Sequence, residues 1–354
     1  MKILFLSKYG ALGSSSRYRI YQYLDGLQQK GITFDVHCLL DNWYIQRLYS
    51  QPSKWGKLNN RIPLAYLRRL AKLKDATHYD IVFVEKEIFP YLPFDVERWL
   101  CRRGVKLVVD YDDAIFHQYE SIPLLKQKIP RVMASAVAVV VGNSYLAEYA
   151  WKYNSRVYIV PTCLDVKKYQ VKSSYGLKDD TVVIGWIGSP ATEKYLQLVE
   201  RPLGNLARRF NIILKCIGVS RTFDLPGIKV KKVPWSEATE ARELLEIDIG
   251  IMPLTDDPFS RGKCGLKLLQ YMACAIPVIA SPVGVNKEIV KEGENGFLAC
   301  TQGEWEDKIS LLARNTRIRG LMGKKGREIV ESHFSLEKGL DKLLMVFTEV
   351  SKTS

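Results

Sequence analysis

Short apolar runs of five to seven residues recur along the chain, and most are followed by a longer segment whose apolar residues have helical spacing. Such runs, rich in Val and Ile and bounded by turn residues, are typical of strands that are buried on both faces. The predicted strands are 2–7, 34–40, 80–85, 105–110, 137–141, 156–161, 182–187, 212–217, 228–233, 248–252 and 277–281. The β–α alternation predicts an α/β fold with parallel, doubly wound sheets.

The same pattern predicts the domain organisation. Two domains are expected for 354 residues, and the polar, charged segment 166–181 is expected to link them. The prediction is a first domain at 1–170, a second at 171–334 and a final segment at 335–354. Helices are predicted at 17–30, 62–74, 266–275, 304–313, 317–331 and 335–350.

The charge is strongly positive and unevenly distributed. Residues 1–170 hold 25 Lys and Arg against 15 Asp and Glu, a net charge of +10, and the rest holds 27 against 23, a net charge of +4. Segment 47–74 has eight basic residues and no acidic one, and its second half predicts an amphipathic basic helix. Such a helix suits an anionic membrane surface or a polyprenyl-diphosphate acceptor, and equally a solvated surface. Nucleic acid is not expected as a partner, because no nucleic-acid-binding motif accompanies the charge.

Cysteine and histidine usage argues against a metal or disulfide framework. The seven cysteines are scattered without a CxxC pair, and the four histidines do not cluster. No apolar run approaches the ~20 residues of a membrane span, and Met1 leads directly into a predicted strand, so we expect no cleavable signal peptide. These features predict a cytoplasmic protein, either in solution or peripheral at the inner face of a membrane.

One stretch, SRGKCGLKLLQYMACAIPVIASPVG at 260–284, carries an unusual charge arrangement. Lys263 and Lys267 lie four residues apart at the start of a predicted helix, where the helix dipole disfavours cations and like charges repel. Gly262 and Gly265 would let backbone N–H groups approach a phosphate. A bound phosphate resolves the conflict, and the alternative is an ordinary solvated start of a buried helix.

This stretch resembles the donor-binding segment of the GT-B glycosyltransferases of family 4. Members carry a Glu, seven residues and a second Glu, followed by a run similar to A-M-A-x-G-x-P-V-I-A-S. Here YMACAIPVIASPVG is in register, and the likeness continues through Glu288-Ile289-Val290 and GENGFLA at 293–299. The resemblance covers essentially the whole chain and is strongest over 184–299.

Three positions depart from the family pattern. Gly262 and Gln270 stand where the two glutamates are expected, and Ala275 replaces the usual Gly. The spacing of Lys263 and Lys267 resembles the branch of the family with a K-x-x-x-K pattern in place of the first Glu.

The resemblance implies a GT-B fold, with two Rossmann-like domains facing each other across a cleft and a C-terminal helix that crosses back to the first domain. The first domain would bind the acceptor and the second a nucleotide sugar. The implied reaction is a retaining transfer of a sugar, with a UDP-hexose as the expected donor, to a glycan or lipid-linked acceptor in polysaccharide or cell-surface glycan synthesis. No metal or other cofactor is expected, because lysines would meet the charge of the diphosphate.

The resemblance also implies the roles of individual residues. Lys194, Lys267 and the helix N-terminus at Gly265-Leu266 would stabilise the departing diphosphate, and Gln270 would hydrogen-bond the ribose. The implied donor-binding residues are Gly13, Arg17, Gly188, Ser189, Lys194, Val233, Trp235, Asp257, Lys263, Cys264, Gly265, Leu266, Lys267 and Gln270.

Carboxylates are expected on the acceptor side. Glu85, Asp112 and Asp113 follow predicted strands, so they fall at the edge of a parallel sheet where ligands gather. Asp112 is the expected catalytic carboxylate beside Lys194 and Lys267. The sequence Asp110-Tyr111-Asp112 also matches the D-x-D pattern of metal-dependent GT-A glycosyltransferases, but that class is usually built on one domain.

Three other functions stay open. A nucleotide-sugar 2-epimerase has the same fold but usually shows its own acid and His cluster, which is not found here. A phosphorylase would act without a nucleotide and often carries a lysine-bound cofactor. The departure from both motif glutamates keeps open a non-catalytic sugar-nucleotide-binding partner.

Overall fold

The computed structural model describes residues 1–50 and 61–352, which form two compact units. The first unit consists of Met1–Thr162, Arg261–Cys264 and Leu336–Ser354, and the second of Cys163–Ser260 and Gly265–Ser335. Each contains a six-stranded sheet in which every neighbouring pair is parallel. The predicted α/β class with doubly wound parallel sheets is confirmed.

The sheet of the first unit has the strand order β2-β1-β3-β4-β5-β6. Its strands are β1 Lys2–Tyr9, β2 Thr33–Leu40, β3 Ile81–Glu85, β4 Leu107–Tyr111, β5 Ala138–Val141 and β6 Val157–Ile159. The helices of this part of the chain are α1 Ser14–Arg19, α2 Leu24–Gln29, α3 Asn42–Ser50, α4 Arg61–Leu73, α5 Asp95–Arg102, α6 Lys128–Ser135 and α7 Ser144–Ala150.

Two predicted helices of the first unit have different outcomes. The helix predicted at 17–30 is divided into α1 and α2, because Ile20 leaves the helical region with φ −130° and ψ −65° and a 3-10 turn follows at Tyr21–Tyr23. The basic helix predicted at 62–74 is present as α4. The part of the basic segment at 51–60 lies outside the described residues.

The sheet of the second unit has the strand order β12-β11-β10-β7-β8-β9. Its strands are β7 Thr181–Ile187, β8 Asn211–Ile217, β9 Lys229–Val233, β10 Ile249–Met252, β11 Val278–Ala280 and β12 Gly296–Leu298. The helices here are α8 Glu200–Ala207, α9 Glu240–Leu245, α10 Pro258–Arg261, α11 Leu266–Ala273, α12 Asn286–Ile289, α13 Gln302–Arg314 and α14 Thr316–His333.

The segment predicted as a linker is packed within the second unit. Lys172 forms an ion pair with Asp248 at 2.7 Å, and the Tyr175 hydroxyl donates a hydrogen bond to the carbonyl of Ala275 at 2.9 Å. Tyr169 is buried. The segment predicted to link the two domains, 166–181, therefore lies inside the second unit, which begins at Cys163.

The last helix, α15 Leu336–Ser351, belongs to the first unit. Its Phe347 packs edge-on against Phe5 of β1 and Phe83 of β3, with ring centroids 6.2 and 5.7 Å apart. Burial of such aromatic side chains is a major source of stability, so α15 is part of this unit's core.

Across residues 1–50 and 61–352, no helix is both long and apolar enough to cross a membrane. Because all strands of each sheet are parallel, their carboxyl ends lie at one edge of that sheet. Ligands of open α/β sheets bind at this edge, and most of the predicted site residues follow the ends of strands.

Candidate functional site

In the second unit, the carboxyl end of β7 brings together a lysine, an aromatic ring and a glycine. Lys267 lies in the first turn of α11, and its Nζ is 4.0 Å from the ring centroid of Trp186 and 3.5 Å from Thr192 Oγ1. Gly188 follows β7 directly, and its N–H donates to the carbonyl of Ile217 at 2.9 Å. The predicted Lys267 and Gly188 thus belong to one site, to which the sequence analysis did not assign Trp186.

Space at this site requires Gly188. A Cβ built there would lie 2.6 Å from Lys267 Nζ and 2.6 Å from Trp186 Cζ2, far inside van der Waals contact. The adjacent Ser189 begins a tight turn that Thr192 closes, since the Thr192 N–H donates to the Ser189 carbonyl at 2.9 Å. Because glycine has no side chain, position 188 leaves room for the Lys267 ammonium group against the Trp186 ring.

The N-terminus of α11 is formed by Gly265, which has φ +71°, in the left-handed region where glycine is favoured. The helix therefore begins without a side-chain cap. Its positive end lies at Leu266 and Lys267, where the sequence analysis placed the phosphate. An uncapped helix N-terminus with a lysine in the first turn is chemically suited to an anion.

Lys194 differs from Lys267 in its exposure and contacts. It is exposed in the 3-10 segment Glu193–Val199, with Nζ 5.2 Å from the ring of Tyr195. Its neighbour Glu193 accepts hydrogen bonds from the N–H and Oγ of Ser220, at 2.7 and 2.8 Å. Glu193 therefore holds the loop after β8, and Lys194 stays a predicted diphosphate contact.

A buried polar network links Trp235 to Gln270. Trp235 Nε1 donates to Glu240 Oε2 at 2.7 Å, and the Tyr169 hydroxyl donates to Glu240 Oε1 at 3.5 Å. Gln270 Nε2 donates to the Tyr169 hydroxyl at 3.3 Å, and the Gln270 side chain is buried. Val233 ends β9, two residues before Trp235. The network fixes the indole, and Tyr169 could not be found from sequence because it lay in the predicted linker.

The carboxylate of Asp257 is hydrogen-bonded to neighbouring residues along the chain. Its carboxylate accepts hydrogen bonds from Thr255 Oγ1 at 2.5 Å and from the N–H and Oγ of Ser260, both at 2.9 Å. Burial would raise the pKa of Asp257, but these hydrogen bonds lower it below its ordinary value. The carboxylate therefore stabilises the start of α10, and sugar binding by Asp257 stays a prediction.

In the first unit, Glu85 at the end of β3 holds the loop after β1. It accepts hydrogen bonds from Ser15 Oγ at 2.6 Å, Ser16 Oγ at 2.5 Å and the N–H of Lys8 at 2.9 Å. Gly13, the N-cap of α1, lies on this loop. The predicted acceptor contact Glu85 is thus fully buried and already engaged with the chain.

The two arginines of α1 have different surroundings. Arg19 forms a buried bidentate pair with Asp110, with Nε–Oδ2 at 2.9 Å and Nη2–Oδ1 at 2.5 Å, and donates to the carbonyl of Val160 at 2.7 Å. Arg17 is also buried, and its guanidinium lies 4.8 Å from the ring centroid of Tyr18. Of the D-x-D pattern, Asp110 is therefore a structural ion-pair partner.

Lys86 forms ion pairs with the two carboxylates that follow β4, Asp112 and Asp113. Its Nζ lies 2.9 Å from Asp112 Oδ1 and 2.8 Å from Asp113 Oδ2. Burial alone would lower the pKa of Lys86, but the two carboxylates raise it well above its ordinary value. Lys86 also has φ +64°, a strained conformation for a non-glycine residue, and such strain is commonly found at functional sites.

The pKa values of the two carboxylates shift in opposite directions. Burial raises the pKa of Asp112, and it would also raise that of Asp113, but Lys86 and Lys263 lower the latter below its ordinary value. Asp112 is therefore the more easily protonated of the pair. Within the described part of the chain, no three His, Cys, Asp or Glu side chains form a group that could hold a metal ion.

Residues 261–264 are grouped with the first unit. Asn143 Nδ2 donates to the carbonyls of Gly262 and Lys263, both at 3.1 Å, and Cys264 Sγ donates to the carbonyl of Asp112 at 3.1 Å. Burial raises the pKa of the Cys264 thiol. Lys263 is therefore placed with the carboxylates of the first unit, whereas Lys267 belongs to the second unit, and the K-x-x-x-K spacing stays a prediction.

Comparison with known proteins identifies this architecture. Residues 181–315 match the family described as "Glycosyl transferases group 1". The chain is 22% identical over 306 residues to the N-acetyl-alpha-D-glucosaminyl L-malate synthase of Bacillus anthracis, covering 81% of this chain and 79% of the synthase.

Solved structures show the same fold over the full length. Sucrose-phosphate synthase from Thermosynechococcus elongatus superposes with a TM-score of 0.73 at 14% identity, covering 100% of both chains. HepE of Anabaena, solved in complex with UDP and glucose, has a TM-score of 0.70 at 16% identity and covers 98% of this chain and 99% of HepE. Residues 181–315 are therefore similar to a group 1 glycosyltransferase domain, and the chain has the two-sheet α/β fold of GT-B glycosyltransferases.

Proposed function

We propose that the protein is a retaining glycosyltransferase that moves a hexose from a UDP-sugar to a glycan or lipid-linked acceptor. The observation that carries the donor assignment is the position of Lys267 at the carboxyl end of β7, against Trp186 and beside Gly188. HepE, a protein of the same fold, was solved with UDP and glucose, which supports uracil as the base of the donor.

The chemical task is to stabilise the nucleoside diphosphate as the anomeric bond breaks. A lysine ammonium and the N–H groups of a helix N-terminus are fixed positive groups, and fixed groups stabilise developing negative charge without reorganisation. Lys267 and the backbone at Gly265-Leu266 provide such groups, and Lys194 is the second proposed cation. In the proposed role, no cofactor is needed for this charge.

Retention at the anomeric carbon fits a site in which the leaving phosphate accepts the proton of the acceptor hydroxyl. Asp112 and Asp113 are then proposed to orient the acceptor. Because burial raises the pKa of Asp112, it is the better hydrogen-bond donor of the two as pH falls. We assign no general base.

The test is a thermal-shift panel of UDP, GDP and ADP on the wild type, Lys267→Ala and Lys287→Ala. Lys287 is an exposed lysine of α12 and serves as the matched control. A ligand that binds the folded state raises the melting temperature by mass action. We expect UDP to stabilise the wild type and Lys287→Ala and to lose most of this effect on Lys267→Ala. Lack of stabilisation by every nucleotide would contradict the donor assignment.

A second assay distinguishes an enzyme from a sugar-nucleotide-binding partner. With a UDP-hexose as the donor, an enzyme hydrolyses the donor slowly when acceptor is absent. Release of UDP by the wild type and its loss in Lys267→Ala would support catalysis. Binding without any UDP release, with or without acceptor, would favour the non-catalytic alternative.

A further inference from the structure

A cavity of about 610 Å³ opens in the first unit between β2, α3 and α4. We propose that it binds the phosphate end of a lipid-linked acceptor, and that the exposed face of α4 contacts the hydrocarbon chain of this lipid. The inference rests on the proposed function, because it names the acceptor class of that reaction. The volume of the cavity lies in the usual range of small-molecule sites.

The walls of the cavity are mostly apolar, with two arginines at one side. They are formed by residues 36–40 of β2, by Trp43 and Tyr44 of α3, and by one face of α4 that includes Arg61 and Arg68. The Arg61 guanidinium lies 4.5 Å from the ring centroid of Trp43. An apolar enclosure with guanidinium groups at its rim matches an amphiphile that carries an anion.

The charges that line the cavity leave an excess of positive charge. Asp41 is the acidic lining residue, and its Oδ1 accepts a hydrogen bond from the Tyr44 N–H at 3.2 Å, so it serves the start of α3. His37 accepts a hydrogen bond from Arg69 Nε at Nδ1, at 3.0 Å, and is therefore neutral at pH 7. Two arginines against one carboxylate favour an anionic ligand.

Three leucines of α4 face solvent, which is unusual for a helix of a globular protein. Leu64, Leu67 and Leu70 are 46%, 62% and 47% exposed, and their spacing of three residues places them along one side of the helix. Arg69, by contrast, is fully buried and donates to the carbonyls of Ser7 and His37 at 2.5 and 2.9 Å. The helix thus points an arginine inward and leucines outward.

The exposed leucine stripe is continuous with the cavity, because Leu64 belongs to both. An apolar surface that begins at a cationic pocket matches the two parts of a lipid phosphate, whose head would lie near Arg61 and Arg68 and whose chain would follow Leu67 and Leu70. Burying such leucines against hydrocarbon is favourable by roughly 25 cal/mol per Å² of apolar surface.

The cavity also adjoins the loop after β1, which the acceptor-side residue Glu85 holds in place. The ring of Tyr44, which lines the cavity, stacks on Tyr9 with centroids 6.1 Å apart and an interplanar angle of 16°. Asn42 Oδ1 accepts a hydrogen bond from the Leu12 N–H at 3.0 Å. Ser16 Oγ, which accepts from the Tyr9 N–H at 2.9 Å, donates to Glu85. The lipid site and the carboxylates therefore share one edge of the sheet.

The test is isothermal titration calorimetry with farnesyl phosphate, kept below the concentration at which it forms micelles, beside inorganic phosphate and farnesol. We expect saturable binding of farnesyl phosphate at concentrations where neither fragment binds. Arg68→Ala and Leu67→Gln should each weaken it tenfold or more, because they remove a cation and an apolar contact. Lys74→Ala and Leu321→Gln are the matched controls, an exposed lysine beyond α4 and an exposed leucine of α14, and should leave the affinity unchanged.

Three outcomes would overturn the proposal: no binding of farnesyl phosphate, equal affinity in Arg68→Ala and Leu67→Gln, or equal binding of inorganic phosphate alone. Vesicles containing phosphatidylglycerol test the membrane surface as the source of the phosphate. Binding of these vesicles without saturable binding of farnesyl phosphate would assign the leucine stripe to a membrane and refute the lipid-acceptor site. UDP stabilisation of the same variants checks folding, and its absence in the wild type would refute the donor assignment without affecting the lipid result.

Discussion

The two units have the same sheet architecture, but the charged residues at the carboxyl ends of their strands have different partners. In the first unit, cations or hydroxyls of the same unit pair with three acidic residues at the ends of strands: Glu85 with two serines, Asp110 with Arg19, and Asp112 with Lys86. In the second unit, the edge residue Lys267 lies against the ring of Trp186.

This difference bears on the role of the charged residues at the strand ends of each unit. Charges paired within a buried network hold loops and cannot be separated without a large loss of stability. The contact of a lysine with an aromatic face contributes about 0.5–2 kcal/mol, which is less than the loss that follows when a buried ion pair is broken. Under the proposed function, the paired charges of the first unit mainly hold its loops in place, and Lys267 of the second unit binds the ligand.

The largest effect is expected from Arg19→Ala, which tests the structural role of the ion pairs in the first unit. It leaves the buried Asp110 carboxylate without its bidentate partner, and loss of one member of such a pair destabilises by about 3–5 kcal/mol. We expect a decrease of that size in the free energy of unfolding in urea at pH 7. Arg102→Ala, at an exposed arginine of α5, should change it by less than about 0.5 kcal/mol. A loss below about 1 kcal/mol in Arg19→Ala would show that the pair is not a structural element.

Gly188→Ala tests the site at the carboxyl end of β7 in the second unit. The added methyl group would meet Lys267 Nζ and Trp186, so the lysine must move from its position. We expect the affinity for UDP to fall about tenfold, or about 1.4 kcal/mol, as measured by calorimetry. Gly204→Ala in α8 is the control, because its Cβ would meet nothing within 4 Å. Unchanged UDP affinity in Gly188→Ala would remove Gly188 from the site.

A smaller effect is expected from pH, and it arises in the first unit. Burial and the charge of Arg69 lower the pKa of His37 from 6.5 to about 4. The unfolded chain therefore binds a proton before the folded one does, so the free energy of unfolding should fall as pH decreases from about 6.5 to about 4. His37 is only half-buried, and solvent screening limits the effect to about 1 kcal/mol.

The comparison of His37→Asn with His78→Asn isolates this contribution in urea unfolding at pH 7.0, 5.5 and 4.5. His78 is exposed, so His78→Asn should keep the pH dependence of the wild type, whereas His37→Asn should reduce it. Identical slopes in the two variants would disprove the assignment to His37.

Much of the fold follows from the sequence, because buried parallel strands produce continuous apolar runs. Eleven runs predicted strands, and each overlaps one of β1 to β11. The short β12 at Gly296–Leu298 was not predicted as a strand, since three residues give too little pattern. The break at Ile20 was also missed, because the helical pattern continues across it.

The site could be predicted only in part. Lys267 and Gly265 were predicted as site residues because their local sequence conflicts with an isolated helix, and the structure places both at the start of α11. Trp186 lies 81 positions before Lys267 along the chain, and the contact between them depends on the pairing of distant elements. The same holds for Tyr169 beside Gln270 and for the cavity beside α4, which local periodicity cannot reveal.

The most direct test of the central claim is calorimetry of UDP and uridine binding to the wild type and to Lys267→Ala. If Lys267 meets the diphosphate, the wild type binds UDP more tightly than uridine, and the variant loses at least tenfold in UDP affinity while its uridine affinity is unchanged. Equal UDP affinity in the two proteins would contradict the claim that the second unit binds the nucleotide through Lys267.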